Sequence, residues 1–190
     1  YTGTNGALVI LSADDPSLHS SQNEQDNRNY AKFAKIPMLE PSDSDEARRF
    51  VKLAVEISET FDTPVFLRST TRVSHSKSVV HPEEPRALAD ITGIRFDAAK
   101  YVMVPANARV RRVVVEERMQ KLKDFAEQFP DNRIEIDDPE IGIITAGMPY
   151  NYVKDVFPRY SFLKLGLVHP LPEKMIREFA RRVKRIYVVE

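Results

Sequence analysis

The residues best suited to chemistry lie between Asp14 and Asp26, in the run DDPSLHSSQNEQD. His19, Ser20, Ser21, Gln22 and Asn23 put hydrogen-bond donors and acceptors on consecutive positions. The run follows the apolar stretch Ala7 to Ala13 (ALVILSA) and precedes an amphipathic one. In open α/β sheets, ligands bind outside the carboxyl ends of the strands, so a polar loop at that point reads as ligand-facing. The competing reading is a solvated connector whose Ser and Asn residues cap the next helix. The spacing of His19 to Asp15 and Glu24 fits no metal-ligand pattern, so no metal site is assigned there. A second polar cluster, Ser69, Thr70, Thr71, Arg72, Ser74 and His75, also follows an apolar run. Arg72 there could hold a carboxylate or phosphate through its planar fork. A loop crossing between domains is the favoured reading of that cluster. His81 and His169 each precede proline and read as structural.

These loops need a scaffold, and the apolar spacing supplies one. Short apolar runs predict strands at 7–13, 37–40, 65–70, 141–146, 162–167 and 185–189. Helices are predicted at 24–35, with Tyr30, Phe33 and Ala34 on one face, and at 42–61. The second is the clearest. Ser42 or Asp43 can cap it, Asp45 and Glu46 suit the positive end of the helix dipole, and Ala47, Phe50, Val51, Ala54, Ile57 and Phe61 recur at helical spacing. A further helix at 107–129 carries Val110, Val113, Val114, Leu122, Phe125 and Phe129 on one side. The last third alternates strand and helix, which implies parallel strands joined by right-handed crossovers. The fold class expected is α/β, with two three-layer units of mainly parallel sheet. The units divide at 1–81 and 105–190, with an irregular linker at 82–104.

Composition narrows the class. Among 190 residues, 28 Lys plus Arg balance 28 Asp plus Glu, leaving no excess cation to neutralise nucleic acid or an anionic membrane surface. The absence of Cys excludes disulfides and thiolate-bound zinc or iron–sulfur clusters on this chain, and it fits a reducing cytoplasm. No apolar run approaches the roughly 20 residues of a membrane-spanning helix. The chain opens without Met or a signal peptide and closes on an apolar run, which reads as a piece of a longer polypeptide. No G-x-G-x-x-G follows a strand, no P-loop occurs and no G-x-S-x-G elbow occurs, so dinucleotide, nucleotide and serine-hydrolase sites are not expected.

Several runs taken together resemble a known family. ADDPSLHSSQNEQD, then PMLEPS at 37–42, then DTPVFLRSTTRVSHS at 62–76, are similar to the α subunits of indolepyruvate ferredoxin oxidoreductases. These belong to the thiamine-diphosphate-dependent 2-oxoacid:ferredoxin oxidoreductases. GIITAGMPYNYVKDVFP, LKLGLVHPLPEKMIREFA and IYVVE extend the resemblance over essentially the whole chain.

The resemblance implies that residues 1–81 form the second half of a pyrimidine-binding domain. Residues 105–190 would form a transketolase C-terminal-like domain, possibly truncated. It implies oxidative decarboxylation of arylpyruvates such as indolepyruvate to aryl-acetyl-CoA, with electrons passed to ferredoxin. The implied cofactors are thiamine diphosphate, Mg²⁺ and [4Fe-4S] clusters, with their main ligands outside these residues. The implied partners are a β subunit, ferredoxin, CoA and the arylpyruvate, within a cytoplasmic oligomer. No catalytic residue is assigned here. Those near substrate or cofactor are His19, Ser20, Ser21, Gln22 and Asn23, with Glu24 in an E-Q dyad that orders the loop. Arg28 and Arg72 join them as partners for a carboxylate or CoA. Two alternatives are a non-catalytic α/β assembly or ligand-binding module, and a related 2-oxoacid oxidoreductase of other substrate preference.

Overall fold

The structure is a computed structural model that describes all residues except 20–21, 83, 85–92 and 94–95. Ser20 and Ser21 of the polar loop therefore lie outside the described residues, as do 83, 85–92 and 94–95 of the expected linker at 82–104.

Strand β1 (Val9–Asp14) leads into the polar loop. Helix α1 (Arg28–Ala34) starts later than the spacing predicts. Asn27 explains the delay. Its side chain donates to Ser12 Oγ at 2.9 Å and to the Ala13 carbonyl at 2.6 Å, and its main-chain N–H reaches Asp14, so the chain is tied to the end of β1 before a helix can begin. The predicted face of α1 is also corrected. Ala31 is the buried residue, while Phe33 is 91% exposed and Tyr30 also faces out. Strand β2 (Met38–Leu39) follows, then helix α2 (Ser44–Phe61). Asp43 caps α2 by accepting from the Glu46 N–H at 2.8 Å. Phe50, Ala54 and Ile57 are buried as expected from their spacing, but Val51 is exposed. Strand β3 (Val65–Thr70) runs directly into helix α3 (Thr71–His75), where a crossing loop was expected. Thr71 donates to Asp15, so α3 is fastened to the loop after β1.

Within the expected linker, helix α4 (Ala98–Tyr101) is capped by Asp97. Helix α5 (Pro105–Ala126) begins with Pro105 in the first turn, where a missing N–H costs nothing. Its buried side is Val115, Met119, Leu122 and Ala126, whereas Val110 and Val113 are exposed. The spacing gave the helix, but its inward stripe turns with Arg118, which is buried facing Asp62. Strands β4 (Arg133–Glu135) and β5 (Asp138–Ala146), helix α6 (Gly147–Val156) and strand β6 (Tyr160–Leu165) follow. Strand β7 (Leu167–His169), helix α7 (Glu173–Arg182) and strand β8 (Arg185–Val189) complete the order.

Two four-stranded sheets result, ordered β1-β3-β2-β7 and β4-β6-β5-β8. In the first, β3 pairs in parallel with β1 and β2, and β7 adds an antiparallel edge. In the second, β5 pairs in parallel with β6 and β8, as the strand–helix alternation predicts, and β4 is the antiparallel edge. Successive residues of β6 point to opposite faces. Phe162 packs with Tyr150 and Val153 of α6, while Leu163 packs with Phe179 of α7, so a helix covers each face.

The predicted single strand at 162–167 is divided at Gly166. Asn132 Oδ1 accepts from the Gly166 and Leu167 N–H groups at 2.8 and 3.0 Å and draws them out of the sheet. A Cβ at Gly166 would stand 2.8 Å from Asp131 Cβ, so the close approach requires glycine. Leu167 then enters the first sheet's core with Leu39, Phe50, Val65 and Leu67. Met119, Leu122 and Phe129 join the same core, so α5 packs on α2. Burying each such side chain contributes about 1.5–3 kcal/mol.

Candidate functional site

The carboxyl ends of both sheets converge on one cavity of about 680 Å³. Thr70 at the end of β3, Ile144 to Ala146 of β5, Leu165 of β6, and Val188 and Val189 of β8 all line it. Of the residues singled out in the sequence, His19, Glu24, Arg28 and Arg72 line the cavity. Gln22 and Asn23 are exposed and are not among its lining residues. Ser17, Leu18 and His19 all have left-handed backbone, with φ of 61°, 68° and 35°. Three successive non-glycine residues in that region are strained, and the turn carries His19 to the cavity wall.

Arg28 is held at both ends of its guanidinium. Nε and one terminal nitrogen donate to Asp26 at 2.8 and 2.9 Å. The terminal nitrogens donate to the two carboxylate oxygens of Glu190 at 2.8 and 2.9 Å. These bonds to Arg28 hold Asp26 below the usual carboxylate range, and Arg28 is correspondingly more firmly protonated. The planar fork thus already presents carboxylate-binding geometry inside the cavity.

Sequence reasoning missed the group beneath. Asp14, Glu40 and Arg68 are all buried, at 3%, 4% and 4% exposure. Arg68 donates from Nε to Asp14 at 2.8 Å and from a terminal nitrogen to Glu40 at 2.6 Å. Burial pulls the Arg68 pKa down, but Glu40 and Asp14 outweigh it and raise it. Asp14 Oδ1 and Glu40 Oε2 have no hydrogen-bond partner among the described residues. Two carboxylates on one guanidinium leave the group with a net negative charge. Gly147, at φ 56°, opens α6 against this group, and a Cβ there would stand 2.5 Å from Glu40 Oε1. A signal was present: Arg68 interrupts the apolar run VFLRST and Glu40 sits in PMLEP, and a charge in a buried strand must be paired.

A second buried pair joins the two sheets' elements. Lys164 of β6, 1% exposed, donates to Glu46 of α2 and to Ser42 Oγ at 2.9 Å. Burial alone would raise Glu46, but Lys164 outweighs it and holds the carboxyl low.

Charged and apolar side chains share the cavity lining. Arg28, Arg68, Arg72 and His19 line it together with Glu24, Asp26, Glu40 and Glu190. Met148, Pro149, Tyr152, Leu165, Val168 and Leu171 are among its apolar lining residues. Among the described residues, no group of three or more His, Cys, Asp or Glu side chains could hold a metal ion. No described helix is long and apolar enough to cross a membrane.

No family model matches the chain. It is 44% identical to the indolepyruvate oxidoreductase subunit IorA of Methanothermobacter marburgensis, matching along 100% of this chain and 32% of that protein. The IorA subunits of Archaeoglobus fulgidus and Pyrococcus horikoshii are 38% and 40% identical, again along 100% of this chain and 31% of theirs. The chain therefore spans about a third of the curated relatives it matches. Among solved structures, a 2-oxoglutarate:ferredoxin oxidoreductase from Magnetococcus marinus superposes with a TM-score of 0.61 at 14% identity, over 95% of this chain and 40% of that one. That likeness supports the α/β fold. By sequence, the chain belongs to the family of indolepyruvate oxidoreductase IorA subunits and corresponds to about a third of their length.

Proposed function

We propose that this chain forms a wall of the substrate site in an oxidoreductase that oxidatively decarboxylates 2-oxo acids with apolar, aryl side chains. The observation that carries the reading is the cavity at the carboxyl ends of both sheets, whose lining joins a carboxylate-binding Arg28 with apolar side chains. Arg28 would bind the substrate carboxylate. Arg72, on α3, adds a second cation at the rim, and His19 adds a donor. Met148, Tyr152 and Leu171 would receive the aryl group and exclude water from it. The buried group of Asp14, Arg68 and Glu40 fixes the strand ends from which these side chains project.

The relatives' name supports indolepyruvate as the substrate, and the wider family reading adds CoA and ferredoxin as partners, with a β subunit in a cytoplasmic oligomer. The same reading divides the chain at 1–81 and 105–190. Thiamine diphosphate, Mg²⁺ and iron–sulfur clusters would supply the carbanion and electron chemistry. The residues present do not fit these groups: the chain has no Cys and no G-D-G…N run for a metal-bound diphosphate.

His19→Ala in the full-length enzyme tests the loop's part. The expected result is a loss in kcat/KM of up to about ten-fold, the value of one hydrogen bond, with little change in Tm. Wild-type kinetics would remove His19 from the site.

A further inference from the structure

We propose that Glu190 is a placeholder for the substrate carboxylate: it occupies the fork of Arg28 in the free protein and yields it when a 2-oxo acid binds. The inference rests on reading the cavity as a 2-oxo acid site. Arg28 carries two carboxylates at once, and they are not equivalent. Asp26 is two residues away and is also held by the Arg28 main-chain N–H at 3.0 Å, so it travels with the arginine. Glu190 lies 162 positions away, just past β8, so it can part from the arginine. It reaches Arg28 through both oxygens, at 2.8 and 2.9 Å, which is the contact a free carboxylate would make. Both residues line the cavity.

Exchange of one carboxylate for another keeps the charge balance around Arg28 unchanged. Asp26 keeps the guanidinium oriented throughout. The ion pair must be broken for each substrate bound, so Glu190 weakens apparent affinity. A partly exposed pair of this kind is worth about two- to five-fold in a binding constant.

The test uses the full-length holoenzyme with indolepyruvate as the varied substrate. Glu190→Gln should lower KM about two- to five-fold, with kcat changing less than KM, and should lower the inhibition constant of indole-3-acetate by a similar factor. Glu190→Asp, which keeps the charge, should return KM toward the wild-type value. A purely structural role for Glu190 predicts the opposite sign, a raised KM with a lowered Tm. An unchanged or raised KM in Glu190→Gln overturns the inference. If Arg28→Gln raises KM while Glu190→Gln does not lower it, the placeholder alone falls. If Arg28→Gln leaves KM unchanged, the reading of the site falls with it.

Discussion

Replacing Arg68 with Met should destabilise the full-length protein by about 3–5 kcal/mol, the usual cost of leaving a buried charge without its partner. Asp14 and Glu40 each have less than a twentieth of their surface exposed, at 3% and 4%, and Arg68 is the cation between them. A methionine fills the stem but supplies no donors, so two carboxylates would face each other in a dry setting. A loss of that size is a large fraction of a typical domain's 5–15 kcal/mol. It would appear as a lower midpoint in urea and a lower Tm. Arg68→Lys should recover only part of the loss, because a single ammonium cannot reproduce the two-sided fork that meets Asp14 and Glu40. A loss below about 1 kcal/mol in the Met variant would show that the buried group is not what fixes the strand ends.

Arg28→Gln should lower kcat/KM for the 2-oxo acid about ten- to hundred-fold, corresponding to about 1.5–3 kcal/mol for hydrogen bonds to a charged group. The effect should fall mainly on KM, because Arg28 is placed to hold the carboxylate rather than the reacting carbonyl. The Arg28 side chain is 27% exposed, and its partners Asp26 and Glu190 are more exposed than it is. Its removal should therefore leave Tm within a few degrees of wild type, unlike removal of Arg68. Arg72→Gln serves as the comparison. It lines the same cavity on exposed α3 and should produce a smaller shift.

Much of the scaffold was legible because the apolar spacing is strong where elements bury one face. Phe50, Ala54 and Ile57 recur at helical steps and all lie in the core. The parallel order of β5, β6 and β8 followed from one helix in each crossover. The misses have local causes that spacing does not encode. Helix α1 starts late because Asn27 is tied to β1. Strand 162–167 divides because Asn132 captures two N–H groups across the chain. Phe33 looked inward by type, yet it is one of the most exposed apolar residues.

The site was legible as loops and not as depth. His19, Glu24, Arg28 and Arg72 are polar residues after strands, and the cavity gathers them. Asp14, Glu40, Arg68, Lys164 and Glu46 carry buried charge. Glu40, Arg68 and Lys164 come from segments read as apolar strands, Asp14 from the start of the polar loop and Glu46 from the first turn of a helix. Their pairing spans 28 to 118 positions in sequence, so only the fold brings them together.

Arg28 is proposed to anchor a 2-oxo acid carboxylate in the cavity at the carboxyl ends of the two sheets. A crystal structure of the full-length protein with indole-3-acetate, an unreactive carboxylate bearing the same ring, tests it most directly. The expected result is the carboxylate on the Arg28 fork in place of Glu190, with the ring against Met148, Tyr152 and Leu171. An acetate group bound elsewhere, with the Arg28–Glu190 pair intact, would contradict it.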